Sequence, residues 1–165
     1  MELSADIFGL FDKKWALLTA GNIGDFNMMT ISWGSLGTLW GHPAATVYVR
    51  ESRLTHRYME KNEYFTISFY PEEKRKTLGI LGSKSGRDID KMHTPGLKPK
   101  EIGSSVTFEE AECTLLCKKL YKGHLEEAGI PGNIVKSHYP EGDFHDFYVG
   151  EVIEVYKRSE GVDEK

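Results

Sequence analysis

A mainly β fold, closed as a barrel or stacked as a sandwich, follows from three observations on the sequence. Seven or so short runs rich in Val, Ile, Thr, Phe and Tyr recur along the 165 residues, a composition that suits a pleated, half-buried surface. Glycine and turn residues punctuate them at short intervals, and helical signals are confined to two short stretches in the middle. Strands alternating with long helices, the mark of a parallel α/β sheet, do not occur.

Taken in order, Trp15 to Thr19 is an apolar strand closed by a turn at Ala20-Gly21-Asn22. Phe26 to Trp33 reads as the next strand. Gly34, Gly37 and Gly41 interrupt the stretch that follows, as at bulges or close backbone approaches, and His42-Pro43 ends it. Ala45 to Val49 is β-rich, with Arg50 at its end. Thr55 is read as the cap of a brief helix that stops at Lys61-Asn62. Tyr64 to Tyr70 is the clearest strand, with Phe65, Ile67 and Phe69 on one face and Thr66 and Ser68 on the other. Pro71 to Leu81 carries a helix signature: Pro first, Glu72 and Glu73 in the first turn, and Gly82 just beyond the end. A charged loop runs from Ser83 to about Lys100. Strands return at Val106 to Glu110, Thr114 to Tyr121 and Tyr148 to Tyr156, while Gly129 to Tyr139 is ambiguous between helix and loop.

The length suits one domain, placed at residues 1–157 with a frayed tail at 158–165. It suffices for a core without disulfides or structural metals. A net charge of −4 disfavours an electrostatic nucleic-acid binder. The two cysteines, Cys113 and Cys117, share one face of a strand or helix and lack a second close pair. With His124 as a poor third ligand they read as structural thiols, and no metal is expected. The first residues carry Asp6, Asp12, Lys13 and Lys14 and lack a signal-peptide apolar run, and no stretch approaches a membrane span. A cytoplasmic location is the expectation.

Several catalytic signatures are excluded. Gly82-Ser83-Lys84-Ser85-Gly86 has Ser where a phosphate loop needs Gly before Lys, and a helix precedes it. Trp33-Gly34-Ser35-Leu36-Gly37 lacks the first glycine of a nucleophile elbow. Neither Gly-x-Gly-x-x-Gly nor His-Glu-x-x-His occurs. What remains is polar chemistry in three clusters. Asn27, Thr30 and Ser32 lead to Trp33. Arg50, Ser52, Arg53, Thr55, His56 and Arg57 run from a strand end into a helix start, a junction that offers free N–H groups to an anion. Ser83, Lys84, Ser85, Arg87 and Lys91 add hydroxyls and cations. Singly, each reads more readily as strand surface or solvated loop; together they make a mixture that suits a phosphate.

In that order, Asn27 to Gly34, Val49 to Thr55 and Leu81 to Lys91 resemble the flavin reductase-like family of FMN-binding split β-barrels, and its flavoredoxin branch in particular. Phe144 to Val152 looks like the closing strand of that family. The resemblance covers nearly the whole chain. It implies an FMN-binding split barrel with a few short helices and a homodimer holding FMN in an interface groove. Carried over, Asn27, Trp33, Thr55 and Lys91 would contact the phosphate. Met29, Thr30, Ile31, Ser32, Val49 and Arg50 would line the flavin, with Ser52 beside them. Ser83, Lys84, Ser85 and Gly86 would close over the ribityl-phosphate end. The chemistry would reside on the flavin, which would take a hydride or electrons and pass them to an acceptor, with no side chain needed as acid or base. Arg50 or backbone N–H groups would stabilise the reduced ring. The family often shows Gly-Asp-His here; this chain has Gly142-Asp143-Phe144-His145, and His145 is a candidate for positioning a nicotinamide. The donor would be NADH or NADPH. The alternatives are an FMN-binding electron carrier without reductase activity, serving a redox-protein partner, and heme binding on a related barrel.

Overall fold

A computed structural model describes residues 6–158. Within them the elements are α1 (Ile7–Asp12), β1 (Ala16–Asn22), β2 (Asp25–Ile31), β3 (Gly34–Leu39), β4 (His42–Arg50), α2 (Leu54–Lys61), β5 (Tyr64–Phe69), α3 (Arg75–Ser83), β6 (Pro99–Ile102), β7 (Ser105–Phe108), β8 (Cys113–His124), α4 (Gly132–His138) and β9 (His145–Lys157). Seven strands form one sheet in the order β2-β1-β5-β8-β9-β4-β3, and β6 and β7 pair separately. Every ladder is antiparallel.

Laid flat, the edge strands β2 and β3 would stand about 29 Å apart, at about 4.8 Å per strand. Instead Met29 and Ile31 of β2 share one buried cluster with Val47 of β4, Phe65 of β5, Leu115 of β8 and Tyr148 of β9, and Leu36 of β3 packs against it. The sheet therefore curls around that cluster as a barrel. No ladder joins β2 to β3, so the barrel is split, and Ser32-Trp33 spans the gap.

A second cluster lies outside the barrel wall. Leu17, Phe26 and Met28 on the outer face of β1 and β2 pack against Leu78 and Leu81 of α3 and Val106 and Phe108 of β7. This cover lays α3 and the loop after it along β2. It also buries the polar face of β5: Thr66 donates to the Val106 carbonyl at 2.6 Å, and Ser68 meets Thr107 and Thr114 at 3.2 and 3.0 Å.

Most element positions agree with the sequence reading, and the differences have physical causes. The first turn falls after Asn22, not at Ala20-Gly21-Asn22, because β1 is buried on both faces and its pairing with β2 runs to Asn22–Asp25. Gly34 to Leu39 is a regular strand, and His42-Pro43 opens β4 rather than ending a segment. The turn between them uses left-handed Trp40 and Gly41 (φ 51° and 79°). Thr55 is the second residue of α2, not its cap, and the cap position, Arg53, makes no side-chain cap bond. A 3₁₀ turn at Glu72–Lys74 precedes α3, which passes through Gly82 to Ser83. A Cβ at Gly82 would stand 3.1 Å from the Cβ of Thr30, so glycine there permits the close approach of α3 to β2. The ambiguous stretch resolves into a 3₁₀ turn at Glu127–Gly129 and α4. Cys113 and Cys117 are free thiols on the core-facing side of β8, and burial pushes the Cys117 thiol up. Of the expected tail, residues 159–165 lie outside the described residues.

Candidate functional site

The three polar clusters converge where β2, the β4–α2 turn and the loop after α3 meet. Asn27 donates from Nδ2 to the Thr55 hydroxyl at 2.8 Å, both side chains being buried. Gly86 packs against them: a Cβ there would lie 2.3 Å from Asn27 Oδ1 and 2.9 Å from a Leu54 methyl. Lys91 is only 3 % exposed. Its Nζ donates to the carbonyls of Met28 and Leu81 at 2.9 and 2.8 Å, fastening the loop to β2 and α3. Burial, and then the charge of Arg53, push the Lys91 ammonium down to about 8. Burial likewise holds the Arg53 guanidinium below its ordinary value, against the opposing pull of Asp143, and Arg53 donates to the Gly82 carbonyl at 2.8 Å. None of the ion pairs among the described residues includes Lys91 or Arg53. Two neighbouring cations without a carboxylate partner, beside a hydroxyl, an amide and a glycine-lined main chain, make an anion-seeking corner.

Trp33 does not belong to that corner. It lies six residues beyond Asn27, up to about 20 Å along extended chain, and its ring packs against His138 and His145 at centroid distances of 5.5 and 5.2 Å. The four positions expected around one phosphate therefore divide into Asn27, Thr55 and Lys91 at one end and Trp33 at the other. Met29, Ile31 and Val49 turn their side chains into the barrel core, so only their main chains are offered to the groove. The Thr30 hydroxyl is engaged with the Leu78 carbonyl at 2.5 Å. Ser32 is half-buried. Ser83 and Lys84 are exposed, while the Ser85 hydroxyl accepts from the Arg87 amide at 3.1 Å.

Between the two ends sits a latch that sequence reading did not find. Asp143, in the left-handed region at φ 57°, accepts from the Ser52 amide at 3.2 Å and the Ser52 hydroxyl at 2.6 Å. Arg50 donates to the carbonyls of Asp143 and His138 at 3.0 and 2.8 Å, and its guanidinium stacks on Tyr139. Nη1 and Nη2 thus each give one N–H to main chain, which holds the guanidinium against the loop that carries Asp143. Arg87 reaches the Ser52 carbonyl at 2.9 Å. The one available signal was the Gly142-Asp143 pair, whose positive φ angles make the turn. His145 is buried, with Nδ1 at 2.8 Å from the Tyr139 hydroxyl; burial, and then Arg50, push it down to about 4.

A family model described as a flavin reductase like domain matches residues 8–165 of the chain. The chain belongs to the flavin reductase-like family. Solved structures agree on the fold. An FMN-binding protein from Thermus thermophilus, with bound 1-cyclohex-2-enone, is 22% identical with a TM-score of 0.69, covering 95% of this chain and 79% of that one. Flavoredoxin from Methanosarcina acetivorans is 23% identical with a TM-score of 0.68, over 96% and 75% of the two chains. The styrene monooxygenase flavin reductase from Pseudomonas putida is 16% identical with a TM-score of 0.66, over 89% and 80%. No match is found among curated proteins. Among the described residues no helix is long and apolar enough to cross a membrane.

Proposed function

We propose that this flavin reductase-like chain binds FMN along β2 and the β4–α2 turn and serves as an oxidoreductase that moves electrons from a donor to an acceptor. The observation that carries this reading is the pair of cations outside any ion pair among the described residues, Lys91 and Arg53, beside Asn27, Thr55 and Gly86. A phosphate relieves their mutual repulsion, and the donors match its chemistry: a hydroxyl, an amide, and cations already oriented by main-chain carbonyls. The main chains of Met29 to Ser32 and of Val49-Arg50 would line the planar ring. Bound there, flavin supplies a redox centre that the side chains themselves lack. The protein holds and orients it. Lys91 and Arg53 bring charge, Asn27 and Thr55 set position, and the Asp143–Ser52 latch keeps the β4–α2 turn in place.

A second copy of the chain is proposed to complete the groove. Trp33 and Trp40 are 41 and 67 % exposed, and a shallow apolar depression lined by Leu36, Pro43, Ala44, Leu115 and Val152 adjoins the outer edge β3–β4. Exposed aromatics at the two ends of β3, with an apolar depression opening on β3 and β4, suit a homodimer.

One observation favours a carrier that receives its electrons from another protein. His145 is buried, its Nδ1 is taken by Tyr139 and burial keeps it neutral, so it presents no charge to a nicotinamide. The absorbance spectrum of the purified protein and the mass of the released cofactor test FMN; a Soret band instead of flavin bands refutes it. Mixing the loaded protein with NADH or NADPH in a stopped-flow instrument separates the two roles. Rapid bleaching identifies a reductase, and no bleaching together with reduction by a protein donor identifies the carrier.

A further inference from the structure

On the α2 side of β9, away from the corner described above, a buried carboxylate gathers nearly every polar group around it. Asp146 is 2 % exposed. Its Oδ2 meets His56 Nε2 at 2.7 Å and Lys122 Nζ at 2.9 Å, and its Oδ1 meets His124 Nδ1 at 2.7 Å. Lys122 also reaches Glu60 at 3.0 Å, and Glu60 accepts from the Tyr148 hydroxyl at 2.6 Å. Glu51 stands exposed at the mouth, and ligand atoms of Glu51, His56 and Asp146 all lie within 4.8 Å of one another. Of the three carboxylates gathered here, Lys122 touches Glu60 and Asp146 but not Glu51; the nearby Lys119 is committed to the Met59 carbonyl.

We propose that Glu51, His56 and Asp146 bind a divalent transition metal of the zinc type, with His124 as the outer partner that orients Asp146. Imidazole with carboxylates is a donor set such metals favour, and three protein ligands with solvent access at Glu51 leave a position for water. Two ligands each about 2.1 Å from zinc stand about 3.4 Å apart, so His56 and Asp146 need separate by less than an ångström from their present contact. Their shared proton leaves as the metal enters. His124 already holds the other oxygen of Asp146, the usual arrangement around a ligating carboxylate. Lys122 is the competitor: its ammonium occupies Oδ2, and it has Glu60 to retreat to. The ligands come from the β4–α2 turn, α2 and β9, at sequence positions 51, 56 and 146, which is why spacing gave no sign of them.

The test is calorimetry of tag-free, chelator-dialysed protein with zinc chloride, supported by the absorbance of the cobalt form. One zinc per chain is expected. His56→Ala and Glu51→Gln each weaken binding at least about tenfold, while Lys122→Ala tightens it. Circular dichroism of His56→Ala and Glu51→Gln checks that the fold is kept, without resort to the buried Asp146. Absence of saturable zinc binding overturns the proposal. So does binding that is unchanged in both variants, which assigns the metal to other surface histidines or to the thiols.

Discussion

Lys91 carries the sharpest expectation at the scale of single residues. Its ammonium is charged below about pH 8 in the folded chain and below 10.5 in the unfolded one. Between those values the unfolded chain binds a proton that the folded chain has released, so stability without ligand rises with pH across that window. Urea denaturation from pH 8 upward reads this slope, and Lys91→Gln removes its share. A phosphate ligand prefers the charged form, so FMN affinity falls as pH climbs above about 8 in the wild type. Lys91→Ala weakens FMN binding by about 1–3 kcal/mol if a charge-assisted bond is lost; fluorescence titration with unchanged affinity would return Lys91 to a purely structural role. Gly86→Ala places a Cβ 2.3 Å from Asn27 Oδ1 and is expected to cost flavin retention more than stability. Thr55 and Asn27 were legible as polar residues, but their mutual hydrogen bond joins positions 28 apart in sequence. No local pattern encodes such a bond.

Among the elements, the β4–α2 turn shows how neighbours set a segment that lacks its own cap. Arg53 at the cap position supplies no side-chain bond to α2, and the turn is held by Asp143 and Arg87 from two other loops. Asp143→Ala loses both bonds to Ser52 and keeps a side chain at φ 57°. A loss of about 1–3 kcal/mol in denaturant unfolding is expected. Asp143→Gly loses the same bonds without the backbone strain and is expected to be the less damaged of the two. The reverse order would remove strain from the explanation. β5 was readable because its alternation is regular. The turn after β1 was misplaced because both faces of that strand are buried, which erases the alternation on which such readings rest.

For the whole molecule, the proposed homodimer is the consequence to measure. Sedimentation of the flavin-loaded protein at micromolar concentration is expected to show two chains. A monomer with full FMN occupancy would refute a groove completed by a partner. Trp40→Lys, at the exposed tip between β3 and β4, is expected to shift the equilibrium toward monomer without unfolding the barrel. A sedimentation profile identical to wild type would move the interface elsewhere.

Composition and periodicity were enough to establish a mainly β chain and the order of most strands, while the family was reached through the resemblance carried by the three polar segments. Those properties are local: each needs only a few residues and the alternation of a strand. Barrel closure, the burial of Lys91 against Met28 and Leu81, and the packing of Trp33 on His138 and His145 were decided by tertiary structure alone. They depend on how a curled sheet and its outer helix bring distant segments into contact, and on the low dielectric that contact creates. The same packing that turns a loop lysine into a buried cation, with no carboxylate partner among the described residues, is what makes the corner beside β2 seek an anion.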